Sequence, residues 1–295
     1  MSREVISYLP DNSLRKGYAS LVRDIARELW DTRWLTYQLF KRDLAAFYKQ
    51  SLLGGLWLLA IPLVTVGTFV LLRGSGIVSV GEMAAPYPLF AVVGVAVWQL
   101  FSNGLVAGAT SLVQGGDMIS RINFSKKSLV IGSMGRAAVS FLVLVALAVV
   151  LFAIYALRGS WAWTPGLGLV LAPLALVPTV LFTLGLAFYS ALLNAVMRDI
   201  ANALSMLLTF LLLLTPVLYD KPEIGPASGA LARWLAAITE YNPLYYLVAA
   251  PRDLVLLGTV SELSGFVISS VLSLVLFLVS LASFHLAETR IAERI

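Results

Sequence analysis

Between Lys49 and Arg73 the chain runs through residues 50–72 without a single acid or base. That run most constrains the fold, because about 20 apolar residues are what a helix needs to cross the hydrocarbon core of a bilayer. Five more charge-free runs follow, at 83–116, 137–157, 159–197, 200–219 and 263–284. The chain therefore reads as an all-α polytopic membrane protein with six transmembrane helices, at about 51–72, 87–108, 129–155, 166–193, 201–219 and 263–284. Composition agrees: 59% of residues are hydrophobic and 13% charged, against about 45–50% and about 25% in soluble domains.

Six spans put both termini on one side of the membrane. Under that topology the terminal side holds fifteen Lys and Arg, nine of them before residue 50, against five on the other side. Basic residues gather on the cytosolic side, so both termini are expected there. The first 50 residues are polar and charged, which argues against a cleavable signal peptide. No internal repeat or low-complexity segment stands out. Two divisions result: a cytosolic arm over 1–50 with an amphipathic interface helix, and a transmembrane domain over 51–295. There is no cysteine and one histidine, His285. Thiol chemistry is thereby excluded, and a metal site would have to be nearly all carboxylate; none is expected.

The arm reads as irregular to about residue 20 and helical over 21–48. Val22, Ile25 and Leu29 form one stripe, Trp30, Trp34 and Tyr37 another, and Phe40, Leu44 and Phe47 share a face further on. Tryptophans on an amphipathic helix suit the membrane interface. Alone, such a helix is an anchor or a docking surface. Between spans two and three lies a cytosolic loop, residues 112–128. Gly115-Gly116 breaks the preceding helix, and Met118, Ile119 and Ile122 form a short apolar stripe beside Asp117 and Phe124. It is either a connector or a short helix that fits a cleft on a partner.

Arg136 lies about two turns into the third span, roughly 12 Å at 1.5 Å per residue. A charge at that depth suggests function by default. It can snorkel to the headgroups, pair with Asp199, or meet a phosphate entering from the cytosolic leaflet. Aromatic residues at span ends are ordinarily interfacial belts. Trp57, Trp98 and Phe101 lie nearer mid-span, and with Phe188 and Tyr189 they offer faces on which sugar rings can stack. Asp220 to Glu262 lies outside. Asn242-Pro243 starts a turn there and Pro251 interrupts the apolar run, leaving halves of about eight residues, too short to cross. A re-entrant helical hairpin in the outer leaflet is expected, its backbone covered by protein.

Arg42, Asp43, Tyr48, Lys49, Ser51, Leu53, Gly54, Trp57 and Pro62 resemble the start of the membrane subunit of ABC-2 type (type V-like) exporters. The resemblance extends to the branch that exports O-antigen, capsule and teichoic acid polymers. Pro216 and Tyr219, then Asn242, Pro243, Leu244 and Arg252, resemble that family's fifth-span end and outer hairpin. The loop resembles its coupling helix, although the usual Phe-Pro-Arg-Glu is here Phe124-Ser125-Lys126-Lys127. The resemblance covers residues 35–285.

It implies an ATPase-coupling surface at Lys41, Arg42, Asp43, Asp117, Met118, Ile119, Ile122 and Phe124. It implies a substrate path past Trp57, Trp98, Phe101, Phe188, Tyr189 and Arg136. An extracellular gate would be formed by Tyr219, Asn242, Pro243, Tyr245, Tyr246 and Arg252. Implied partners are a second copy of the chain, two ATPase subunits, a lipid-linked glycan and the bacterial inner membrane, with no nucleic acid. The sequence has no GxxxxGK[ST] loop, so ATP and Mg are expected on the partner subunit and no cofactor on this chain. This describes a permease, with no catalytic residues. Alternatives are an ABC-2 permease for a drug or small lipid, a plain channel, or an integral membrane glycan-modifying enzyme. An enzyme would need acidic residues at a membrane face, and no Asp/Glu pair stands out.

Overall fold

The computed structural model describes residues 23, 27–49, 56–76, 85–121, 124–161, 163, 166–219, 221 and 229–291. Among them every regular element is a helix. In chain order these are α1 (Arg33–Lys49), α2 (Leu56–Gly74), α3 (Tyr87–Gln114), α4 (Gly116–Arg121) and α5 (Lys127–Leu157). Then come α6 (Leu167–Val196), α7 (Ile200–Leu214), α8 (Ala230–Tyr241), α9 (Pro243–Leu256) and α10 (Leu263–Ile291). A short helical stretch over 27–31 leads into α1 through a turn at Thr32.

Four helices, spanning Tyr87–Gln114, Lys127–Leu157, Leu167–Val196 and Leu263–Glu288, are long and apolar enough to cross a membrane. Leu59–Gly74 and Ile200–Leu214 are apolar but shorter. The α7 helix stops because Thr215 precedes Pro216. A residue before proline is pushed out of the α region, and Thr215 is extended at φ −94° and ψ 127°.

The hub is α3, with twenty of its 28 residues buried. A helix apolar and covered on all sides is an interior element, and α5, α6, α2, α7 and α9 all pack on it. Small residues let its neighbours come close. A Cβ on Gly104 would lie 2.7 Å from Met134 Sδ of α5, and one on Gly108 would lie 2.5 Å from Ala187 Cβ of α6. This small-xxx-small pair is a genuine three-helix contact.

The helical hairpin expected before the last span consists of α8 and α9, joined at Asn242. Twelve of the 14 residues of α9 are buried, against α6, α10 and α3, so protein covers its backbone. The expected break at Pro251 does not occur: Pro251 lies inside α9, and the turn is at Asn242 alone. Proline removes the N–H that would bond the carbonyl four residues back. That carbonyl belongs to Leu247, and the Thr179 hydroxyl of α6 donates to it at 2.9 Å. A neighbouring helix thus supplies the missing donor, and the run continues unbroken.

Candidate functional site

At one end of the helices, α1 lies across the start of α5. Two glycines make the crossing possible. A Cβ on Gly132 would come within 3.3 Å of Leu39 Cβ, and one on Gly135 would enter the Phe40 ring. Leu39 is buried, while Trp30, Trp34 and Tyr37 face outward in a stripe. The Arg33 guanidinium lies 4.4 Å from the Trp30 ring. Beside this helix sits α4, the short helix expected after Gly115-Gly116. Arg42 Nη1 reaches Met118 Sδ at 3.9 Å, so two stretches expected to face a partner are brought together. Met118, Ile119 and Phe124 pack partly against the core, and Lys41, Arg42 and Asp117 are exposed. The Asp43 backbone lies within α1; its side chain and Ile122 lie outside the described residues.

A second arrangement at the same end is not apparent from sequence spacing. Lys127, the first residue of α5, is fully buried. Its Nζ donates to Glu28 Oε1 at 3.1 Å and Oε2 at 3.0 Å, and also to Glu288 Oε2. Glu288 Oε1 accepts the Lys126 backbone N–H at 2.5 Å, and His285 Nδ1 lies 3.7 Å from Glu28 Oε2. In the sequence Lys127 is one more basic residue on the cytosolic side. Its partners lie 99 and 161 positions away, beyond any local signal.

The residues expected along a substrate path separate into two kinds. Trp98, Phe101 and Phe188 are buried core side chains of this subunit. Trp98 meets Phe101 edge-on at 5.5 Å, and Phe188 packs 5.0 Å from Phe284. A glycan touches them only if neighbouring helices part. Trp57 faces outward from α2, and the Tyr189 hydroxyl meets Ser283 Oγ at 3.3 Å. Arg136 makes no ion pair with Asp199. Its Nε is buried and makes no hydrogen bond to any described residue.

The opposite end is tied together by polar contacts. Asn242 Oδ1 accepts the Leu244 N–H at 3.0 Å, capping α9, while its Nδ2 donates to Thr215 Oγ1 at 2.9 Å. Pro243 takes the first helical position, where its missing N–H has no partner to lose. Arg252 is buried, with its guanidinium 3.9 Å from the Phe90 ring centre. It donates to Pro216 O at 3.3 Å and to Asp253 Oδ1 at 3.3 Å. Tyr219 donates to Leu213 O, Tyr246 to Glu240 O and Tyr245 to Glu262. Lys221 Nζ lies 3.0 Å from Glu262 Oε1. Burial opposes the Lys221 charge, but the hydrogen bond and charge of Glu262 outweigh it, so the ammonium holds its proton above the usual lysine range. Two of the residues expected at an outer gate, Asn242 and Arg252, thus both reach the Thr215-Pro216 bend at the end of α7 from different turns of α9.

Long apolar helices joining an amphipathic arm and a short helix at one end to a protein-covered hairpin at the other make this a multi-pass membrane protein. Residues 35–256 match the model of the ABC-2 type transporter family, and the chain belongs to that family. It is similar to the O-antigen export system permease protein RfbA of Myxococcus xanthus, 30% identical over 75% of this chain and 84% of that protein. It is also similar to a protein of the same name from Klebsiella pneumoniae, 27% identical over 85% of this chain and 91% of that protein.

Proposed function

We propose that this chain is the membrane-spanning subunit of an ABC exporter that carries a lipid-linked, O-antigen-like polysaccharide out of the cytosol across the bacterial inner membrane. The observation that carries this reading is the similarity, over most of both chains, to permeases named for O-antigen export. In this reading both termini are cytosolic, and α2 and α7 complete six spans despite their length. Two copies enclose the route, with the outward apolar faces of α2 and α7 toward the seam. Two separate ATPase subunits bind ATP and Mg and press on α4 and on Lys41, Arg42 and Asp43 of α1. The push reaches the first span through Tyr48–Trp57 and loosens the hairpin around Asn242 and Arg252. Arg136, a guanidinium at membrane depth whose buried Nε lacks a described partner, meets the phosphate of the lipid carrier.

Deleting the gene and analysing glycans inside and outside the cell tests the reading. Finished polymer should accumulate inside and vanish from the surface; undiminished surface glycan refutes polysaccharide export. Arg136→Gln should retain lipid-linked polymer in the cytosolic leaflet, and normal export by that variant removes the phosphate role.

A further inference from the structure

Lys127 joins three parts of the chain that are far apart in sequence. Glu28 belongs to the helical stretch before α1, Lys127 opens α5 directly after α4 and Phe124, and Glu288 sits near the end of α10. A fully buried ammonium is tolerated only when its partners are close and its donors are used. Here its three N–H donors meet three carboxylate oxygens. Glu288 also accepts the backbone N–H of Lys126, one of the donors that a helix start leaves without an internal partner. Lys126 itself supplies no side-chain cap. The same carboxylate thus grips α5 twice, once by charge and once by backbone. Where the Phe-Pro-Arg-Glu pattern carries an acid, this chain carries Lys127, and the acids come instead from the two ends of the chain.

We infer that Lys127 is a positioning residue for transport: it staples the arm and the last helix to the base of α5, so that displacement of α4 moves all three as one body. This rests on the reading of the chain as an ATP-driven exporter. The physical reason is asymmetry. Without the ammonium, the Glu28 and Glu288 carboxylates, 21% and 10% exposed, face each other uncompensated, and repulsion drives the arm and α10 apart. With all three charges neutralised, the site loses its attraction but leaves no uncompensated charge, so the fold survives and only the link weakens.

The test uses the full chain assembled with its ATPase partner. The chain has no native cysteine, so Arg27→Cys with Ala287→Cys reports the link through a short bifunctional thiol reagent. The triple variant Glu28→Gln, Lys127→Met, Glu288→Gln should assemble with the ATPase and hydrolyse ATP within twofold of the parent. It should export at least tenfold less glycan and lose most of the 27–287 cross-link. Lys127→Glu alone should abolish export, and adding Glu288→Lys should restore at least a third of it. Normal export by the triple variant overturns the inference. So does its failure to assemble, since the cluster would then serve folding alone, and so does a charge swap that rescues nothing. If the parent chain engages no ATPase, the export reading fails instead; the staple then stands or falls on the cross-link, which the triple variant must lose.

Discussion

Replacing Arg252 with methionine tests how the hairpin is held. Methionine keeps much of the aliphatic volume but removes the guanidinium from the Phe90 face, from Pro216 O and from Asp253 Oδ1. Asp253, itself buried, would be left as a carboxylate without its cation. Removing one partner of a buried ion pair costs about 3–5 kcal/mol, and the stacking share of a desolvated cation over an aromatic ring is about 2 kcal/mol. Arg252→Met should therefore destabilise by about 3–5 kcal/mol, mostly through the abandoned charge. Asp253→Asn in the same background removes that charge and should recover roughly 2 kcal/mol, leaving the lost stacking and the lost bond to Pro216. Arg252→Lys should fall between parent and Arg252→Met, because an ammonium keeps the charge and loses the planar face. Denaturant unfolding in mild detergent, followed by tryptophan fluorescence, measures all four proteins. A cost for Arg252→Met below about 0.5 kcal/mol, the range of exposed substitutions, refutes the reasoning. A double variant no more stable than the single one refutes the assignment of the loss to Asp253.

Three further outcomes are expected. Gly135→Leu drives a side chain into the Phe40 ring, an overpacking cost of about 1–3 kcal/mol. Cysteines replacing Arg42 and Met118 should cross-link in membranes, lose that cross-link with Gly135→Leu, and regain it when Phe40→Ala is added; no regain refutes the ring contact. Asn242→Ala should lower thermal stability more than Asn242→Asp, because aspartate still accepts the Leu244 N–H and loses only the donation to Thr215, the cap alone contributing about 0.5–2 kcal/mol. Equal losses deny the cap its share. A membrane-impermeant maleimide should label a cysteine replacing the exposed Tyr241 in spheroplasts, and a cysteine replacing Arg42 only after permeabilisation; the reverse pattern inverts the proposed orientation.

Much of this architecture is written locally in the chain. Charge-free runs long enough for a bilayer demand helices, because unpaired backbone is intolerable in hydrocarbon. Gly115-Gly116 ends α3 and lets α4 start, and Asn242-Pro243 caps and opens α9 through the chemistry of two adjacent residues. These features depend on neighbours in sequence, so composition and spacing determine them. Other features depend on what lies across a helix interface. Pro251 reads as a break until Thr179 of α6 is seen donating to Leu247 O. Trp57 and Phe188 are both aromatics in apolar runs, yet one faces outward and the other is enclosed. In a helix apolar on every side, hydrophobic periodicity carries little information about which face is inward. Lys127 looks like a cytosolic surface charge, and only the folding together of residues 28, 127 and 288 makes it a buried ion at the meeting of three helical segments. The sequence by itself determines that the chain is a set of membrane helices with a charged N-terminal arm. Tertiary structure alone decides which polar groups meet, because a buried charge or an orphaned carbonyl is satisfied by whatever donor the packing brings within about 3 Å.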